Sequence, residues 1–142
     1  MTARRETVIA EVLNRLETVP NVALVLRQPN AQPSTSHALT LDDRGQRVIE
    51  AGAIHNVYAL QLVISGYVQG AGAAGAAALN EFYAATVRVL MADGAQLGGI
   101  AREVTEGDLQ IDSAAIDQKF THIFELAIDI TFTARTHDPA LN

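Results

Sequence analysis

One stretch constrains the fold of this chain more than any other: HIFELAIDITFTART, residues 122–136. Phe124, Leu126, Ile128, Ile130 and Phe132 fall on one side. Glu125, Asp129, Thr131, Thr133 and Arg135 fall on the other. A period of two sustained over that length predicts a long antiparallel strand, apolar towards a core and polar away from it. VYALQLVISGYV, residues 57–68, alternates too. Tyr58, Leu60, Leu62, Ile64 and Val68 point one way; Gln61, Ser65 and Tyr67 point the other. Two such strands need a partner layer for their apolar faces.

Helical spacing supplies it. Val8, Ile9, Val12, Leu13 and Leu16 form one stripe over residues 3–18, with Thr2 placed to cap the start and Pro20 to end it. Leu79, Phe82, Tyr83, Thr86, Val87, Leu90 and Met91 keep a second stripe over 76–92, closed by Asp93-Gly94. Between the helices, VALVL (22–26) and HALTL (37–41) read as short strands. RQPNAQPSTSH (27–37) reads as a loop and DDRGQ (42–46) as a turn. GGIAREVTEGDLQID reads as two short strands around Glu106-Gly107. The expected fold class is α+β: a mostly antiparallel β-sheet with an N-terminal helix and a long central helix packed on it, in a single domain over 1–142.

The segment VQGAGAAG, residues 68–75, has the spacing V-x-G-x-G-x-x-G of a dinucleotide-binding turn, and Asp93 stands about 20 residues on. That fold needs a second parallel strand ending near Asp93. The helical stripe runs through the interval without a break. The flanking strand alternates, where a doubly wound sheet wants burial on both faces. The glycines therefore read as permissive backbone at a strand-to-helix turn.

Other chemistry is sparse. His37, His55, His122 and His137 are scattered, without metal-ligand spacing. Ser65 lacks a nucleophile elbow. Glu125 and Asp129 lie about 13 Å apart along one strand, too far for a glycosidase pair. There are no cysteines for thiolate ligands or disulfides. No apolar run approaches the length of a membrane-spanning helix, and no secretory h-region opens the chain. The net charge of −6 is lopsided. Residues 1–92 balance seven acids against seven Lys/Arg, whereas 93–142 carry nine acids against three. A nucleic-acid reader needs the opposite sign.

The order of these parts resembles the phage tail terminator (tail completion) family. The resemblance runs over nearly the whole chain as a pattern of elements. Its most telling pieces are Leu97-Gly98-Gly99-Ile100 after the long helix and the closing strand with Thr133, Arg135 and Asp138-Pro139. The resemblance implies a structural virion protein, not an enzyme and without a cofactor. Such proteins form a homohexameric ring that caps the tail tube, stops its polymerisation and presents a surface to the head–tail connector. The implied location is the virion tail, assembled in the host bacterial cytoplasm, with no specific nucleic-acid binding and no membrane. Asp42, Asp43, Arg44 and Arg47 are the candidate tail-tube or subunit contacts. Glu103, Glu106, Asp108, Glu125 and Asp129 are the candidate acids of the ring lumen. The alternatives are another head–tail connector or tube subunit, and a small dinucleotide-binding domain.

Overall fold

The computed structural model describes residues 3–140. In chain order the elements are α1 (Arg4–Leu16), β1 (Leu24–Arg27), β2 (Ala38–Glu50), β3 (His55–Gln69), α2 (Gly72–Leu90), a helical turn α3 (Ala92–Ala95), a 3-10 turn (Leu97–Gly99), β4 (Glu103–Ile116) and β5 (Lys119–Arg135). The five strands form one sheet in the order β1-β2-β3-β5-β4. The two alternating stretches of sequence are its centre: β3 and β5 pair antiparallel without a register break from His55↔Arg135 to Gln69↔Thr121.

The expected α+β architecture, a mostly antiparallel sheet with an N-terminal helix and a long central helix packed on it, is corrected. Strand predominates over helix, and the sheet is mixed because β1 runs parallel to β2. The helices are short covers on one face of a sheet that is itself the body of the molecule. Strand content is under-read in the sequence for a local reason. DDRGQ has turn chemistry, yet it lies inside β2, where a bulge between Asp43 and Gln46 absorbs Gly45 at φ 95°. The segment around Glu106-Gly107 is likewise one strand, not two. Gly107 and Asp108 together stand opposite Ala127, a second bulge, and pairing resumes at Leu109↔Leu126.

The N-terminal capping residue expected at Thr2 lies outside the described residues. α1 starts after Ala3 with no side-chain cap. The second helix begins earlier than the stripe suggested, at Gly72, because the alanines of 73–78 extend it backwards to the glycine turn. Asp93 and Gly94, both at positive φ, do break it. Asp117 and Gln118, also both at positive φ, make the two-residue turn that closes the β4–β5 hairpin.

Sheet neighbours share a face, so pairing fixes which side chains meet. Leu39 and Leu41 of β2, Leu60, Leu62 and Ile64 of β3, and Phe124, Leu126, Ile128, Ile130 and Phe132 of β5 all project towards the helices and are buried. Val8, Ile9, Val12 and Leu16 from α1 and Leu79, Phe82 and Leu90 from α2 complete this core. We call this side the helix face and the other the open face. Gly66 sits opposite Phe124, whose ring occupies the space above it; a Cβ built at Gly66 would lie 2.0 Å from Phe124 Cε2. Tyr83 and Phe82 then meet that ring edge-on, at centroid distances of 5.7 and 6.2 Å.

Gly66→Ala should therefore lower stability by about 1–3 kcal/mol through overpacking. The same change in a Phe124→Ala background should cost much less, because the clashing ring is gone. Thermal or denaturant unfolding of the four proteins checks both expectations.

Candidate interaction surfaces

The sequence points to surfaces and not to a pocket, and each surface is set by strand position. Asp42, Asp43, Arg44 and Arg47 belong to the second half of β2, not to a loop. β1 pairs only with residues 38–41, so among the described residues no strand lies outside β2 from Asp42 to Glu50. Asp43 is turned to the helix face and committed there. It makes an ion pair with Arg5 at 2.9 Å and accepts the Gly45 amide at 2.9 Å. Burial alone would raise the Asp43 carboxyl. The Arg5 and Gly45 hydrogen bonds overcome it and hold the group below its usual value. Arg5 also reaches Gln46 at 3.0 Å, and Arg27 of β1 pairs with Glu6 of α1. These contacts fasten α1 across the β1–β2 edge. Arg44 and Arg47 remain exposed, and Asp42 is half-buried.

The five candidate lumen acids separate by face. Glu125 and Asp129 of β5 stand opposite Ser65 and Gln61 of β3, on the open face. Glu103 joins them through its pairing with Thr131. Glu106 lies on the helix face, where its carboxylate accepts the Tyr83 hydroxyl at 3.0 Å. Asp108 lies in the β4 bulge. Near them on the open face, burial pushes the Tyr67 phenol up, and the charges of Glu125 and Asp42 add to the effect.

The open face is neither flat nor bare. Residues Pro29–Gln32 of the proline-bearing loop line a depression with Thr40, Asp42 and Tyr67. At the other end, Ile49, Glu50, Val57, Thr131, Arg102 and Glu103 line a second one. Those residues come from, or directly adjoin, four neighbouring strands. Among the described residues no group of three or more His, Cys, Asp or Glu could hold a metal ion. His37 packs edge-on against Phe82 at 5.0 Å, and His122 against Phe120 at 5.2 Å. The glycine turn does connect a strand to a helix. But β3 is antiparallel to both its neighbours, so the parallel pair that frames a dinucleotide is missing at this turn. Gly75 instead lets α2 start hard against the Gly70 carbonyl; a Cβ there would sit 2.5 Å from that oxygen.

Two features escape sequence reading. The Arg5–Asp43 pair joins residues far apart in the chain, and nothing in either segment marks the other. The second is a set of exposed apolar side chains in two places. Val48, Ile49 and Ile54 stand at the β2–β3 end, and Leu109, Ile111 and Phe120 on the β4–β5 hairpin. Leu109 and Ile111 alternate as buried strand residues do, but the core does not reach that far.

No protein-family model matches the chain, and no curated protein matches it. Solved structures do give matches. One is a chain from a structure described as "Virion of native gene transfer agent (GTA) particle". It is 12% identical, the match covers 93% of this chain and 92% of that one, and the TM-score is 0.38. A likeness of that size carries neither a fold assignment nor a role.

The Asp43 pairing has a measurable consequence. A carboxyl held below its unfolded value contributes stability that is fully present above about pH 4 and is lost as pH falls through the lowered folded value. Asp43→Asn should cost about 1–2 kcal/mol at pH 7. The difference from the parent chain should shrink below about pH 4. Unfolding curves across that range test the sign.

Proposed function

We propose that this chain is a phage or phage-like tail terminator. Six copies close into a ring that caps the tail tube, stops its polymerisation and offers its far side to the head–tail connector. The work is structural, without catalysis or a cofactor, and the protein resides in the virion tail after assembly in the host bacterial cytoplasm. The observation that carries the reading is the sheet itself. It has an unpaired edge at each side, on β4 and on the distal half of β2, and helices on one face only. An element of that kind is a natural arc of a closed ring. The sequence resemblance supplies the particular ring.

In such a ring the two faces are not equivalent. The bulk of α1 and α2 fits the outside, where circumference is larger. The open face then lines the hole and brings Glu103, Glu125 and Asp129 to it. An acidic wall repels phosphate, so DNA passes without the counterion-releasing contacts that a basic wall would make.

Native mass measurement should give a particle of about six protomers. Particles made without the protein should carry tubes of uncontrolled length in electron micrographs. A chain that stays monomeric, or polymerises without limit as a tube subunit would, overturns the reading. Glu125→Lys combined with Asp129→Lys should preserve the ring and slow DNA ejection. Normal ejection kinetics from such particles would remove these two acids from the lumen.

A further inference from the structure

The large apolar side chains that stay exposed among the described residues gather at two corners of the sheet. Val48, Ile49 and Ile54 belong to the β2–β3 hairpin. Every residue there from Gln46 to His55 is exposed, so this end projects as a tip. Leu109, Ile111 and Phe120 belong to the β4–β5 hairpin. Pairing of Leu109 with Leu126 and of Ile111 with Phe124 sets them on the helix face, but α2 packs on β3 and β5, one strand in from β4. They therefore floor a shelf beside the helix, about 10 Å deep, the width of a helix. The wall of the shelf is apolar too. Gly72–Asn80, the first half of α2, has no charged side chain, and Ala73, Ala74, Ala76 and Ala77 are exposed. A helix facing water normally carries charge on that side. Ala76 stands two turns before Tyr83 and shares its side of the helix. Tyr83 meets Phe124 and donates to Glu106, which closes the inner end of the shelf. β3 starts at the tip and ends beside the β4–β5 turn, so tip and shelf occupy diagonal corners.

From these unlike corners we propose that the shelf seats a second copy of this chain: the Val48–Ile49–Ile54 tip of one copy rests on Leu109, Ile111 and Phe120 of the next, against the alanine wall of α2. The inference rests on the ring reading above and names the surface that builds it. Removing both apolar patches from water drives the contact. Charge selects which corners meet. Within four residues of its apolar side chains along the sequence, the tip carries Arg44, Arg47 and Glu50, net +1 with histidine neutral. The residues that share the tip's depressions, Arg102 with Glu103 and Arg135 with Asp138, cancel. By the same rule the shelf carries Glu106, Asp108, Asp112, Asp117 and Lys119, net −3. Two shelves repel one another, whereas a tip suits a shelf. A contact between unlike surfaces leaves one of each free at the ends of any short chain, until a ring closes. Rotation in a ring preserves height along its axis, and tip and shelf differ in height along the strands. The strands of each copy therefore slant to the ring axis, as they do when a sheet closes into a barrel.

Ile54 and Ile111 are 66% and 55% exposed, so an acid at either position leaves the core untouched while spoiling its patch. In the full chain, Ile54→Asp and Ile111→Asp should each keep the parent's far-ultraviolet circular dichroism. Each should lose the ring and run as single 15.1 kDa chains in native mass measurement, at a concentration where the parent is a ring. Mixed in equal amounts, they should give a species of two chains and nothing larger. The intact tip of Ile111→Asp then fits the intact shelf of Ile54→Asp, and both remaining ends are spoiled. Should an acid alter the dichroism, Ile54→Asn and Ile111→Thr repeat the test. A parent ring that survives either substitution overturns the seating and leaves the ring standing, with the patches free for a different partner. A monomeric parent overturns both. Self-dimers of a single variant would mean that like patches meet. A mixture that stays monomeric, or grows past two chains, would mean that tip and shelf are not each other's partners; each of these results overturns the proposal.

Discussion

The structure depends first on the pairing of β3 with β5. Fifteen residues of each strand face one another without a bulge, and most of their helix-side members are large and apolar. Each fully buried Leu, Ile or Phe contributes about 1.5–3 kcal/mol of transfer free energy, so this ladder with its helix cover is the largest single source of stability. Everything else is placed relative to it. Gly66 makes room for the Phe124 ring, and that ring in turn receives Phe82 and Tyr83. A side chain at position 66 would disturb the sheet and the helix contact together.

The outer strands answer to different demands. β2 and β4 each carry a bulge that holds a glycine near an acid, Gly45 after Asp43 and Gly107 before Asp108, and β2 has a second irregularity between Val48 and Glu50. A bulge bends and twists the strand that carries it. The same feature that hollows a sheet also interrupts its edges, and charged residues gather there. Long free edges are hazards for a monomer unless they are managed. The charged side chains along both outer strands are of that protective kind.

The glycine-rich turn shows how the same spacing can serve packing. In a dinucleotide fold such glycines let phosphate approach a helix start. Here Gly75 brings the start of α2 against the Gly70 carbonyl, and His122 of β5 lies on the other side of it. The close approach is made to the protein's own backbone. A motif read without its strand partners cannot distinguish these uses, because the phosphate site depends on a parallel neighbour and not on the glycines alone.

The sequence by itself determined the centre of this protein. Strict alternation in 57–68 and 122–136 fixes two long strands and their buried faces, and the stripes Val8–Leu16 and Leu79–Leu90 fix two helices to cover them, because period and burial are local properties. It also determined the acidic last third. Tertiary structure alone decided the rest. That 42–50 is strand, with Asp43 spent on Arg5, follows from pairing with β3 and from a partner 38 residues away. That β1 is parallel, and that β4 is a mostly exposed edge, follows from strand order, to which local periodicity is blind. Likewise Arg47 and Glu103, 56 positions apart in the chain, become ends of one rung only through two intervening strands. Non-local hydrogen bonding sets which residues share a height and a face, and no pattern within either segment encodes it.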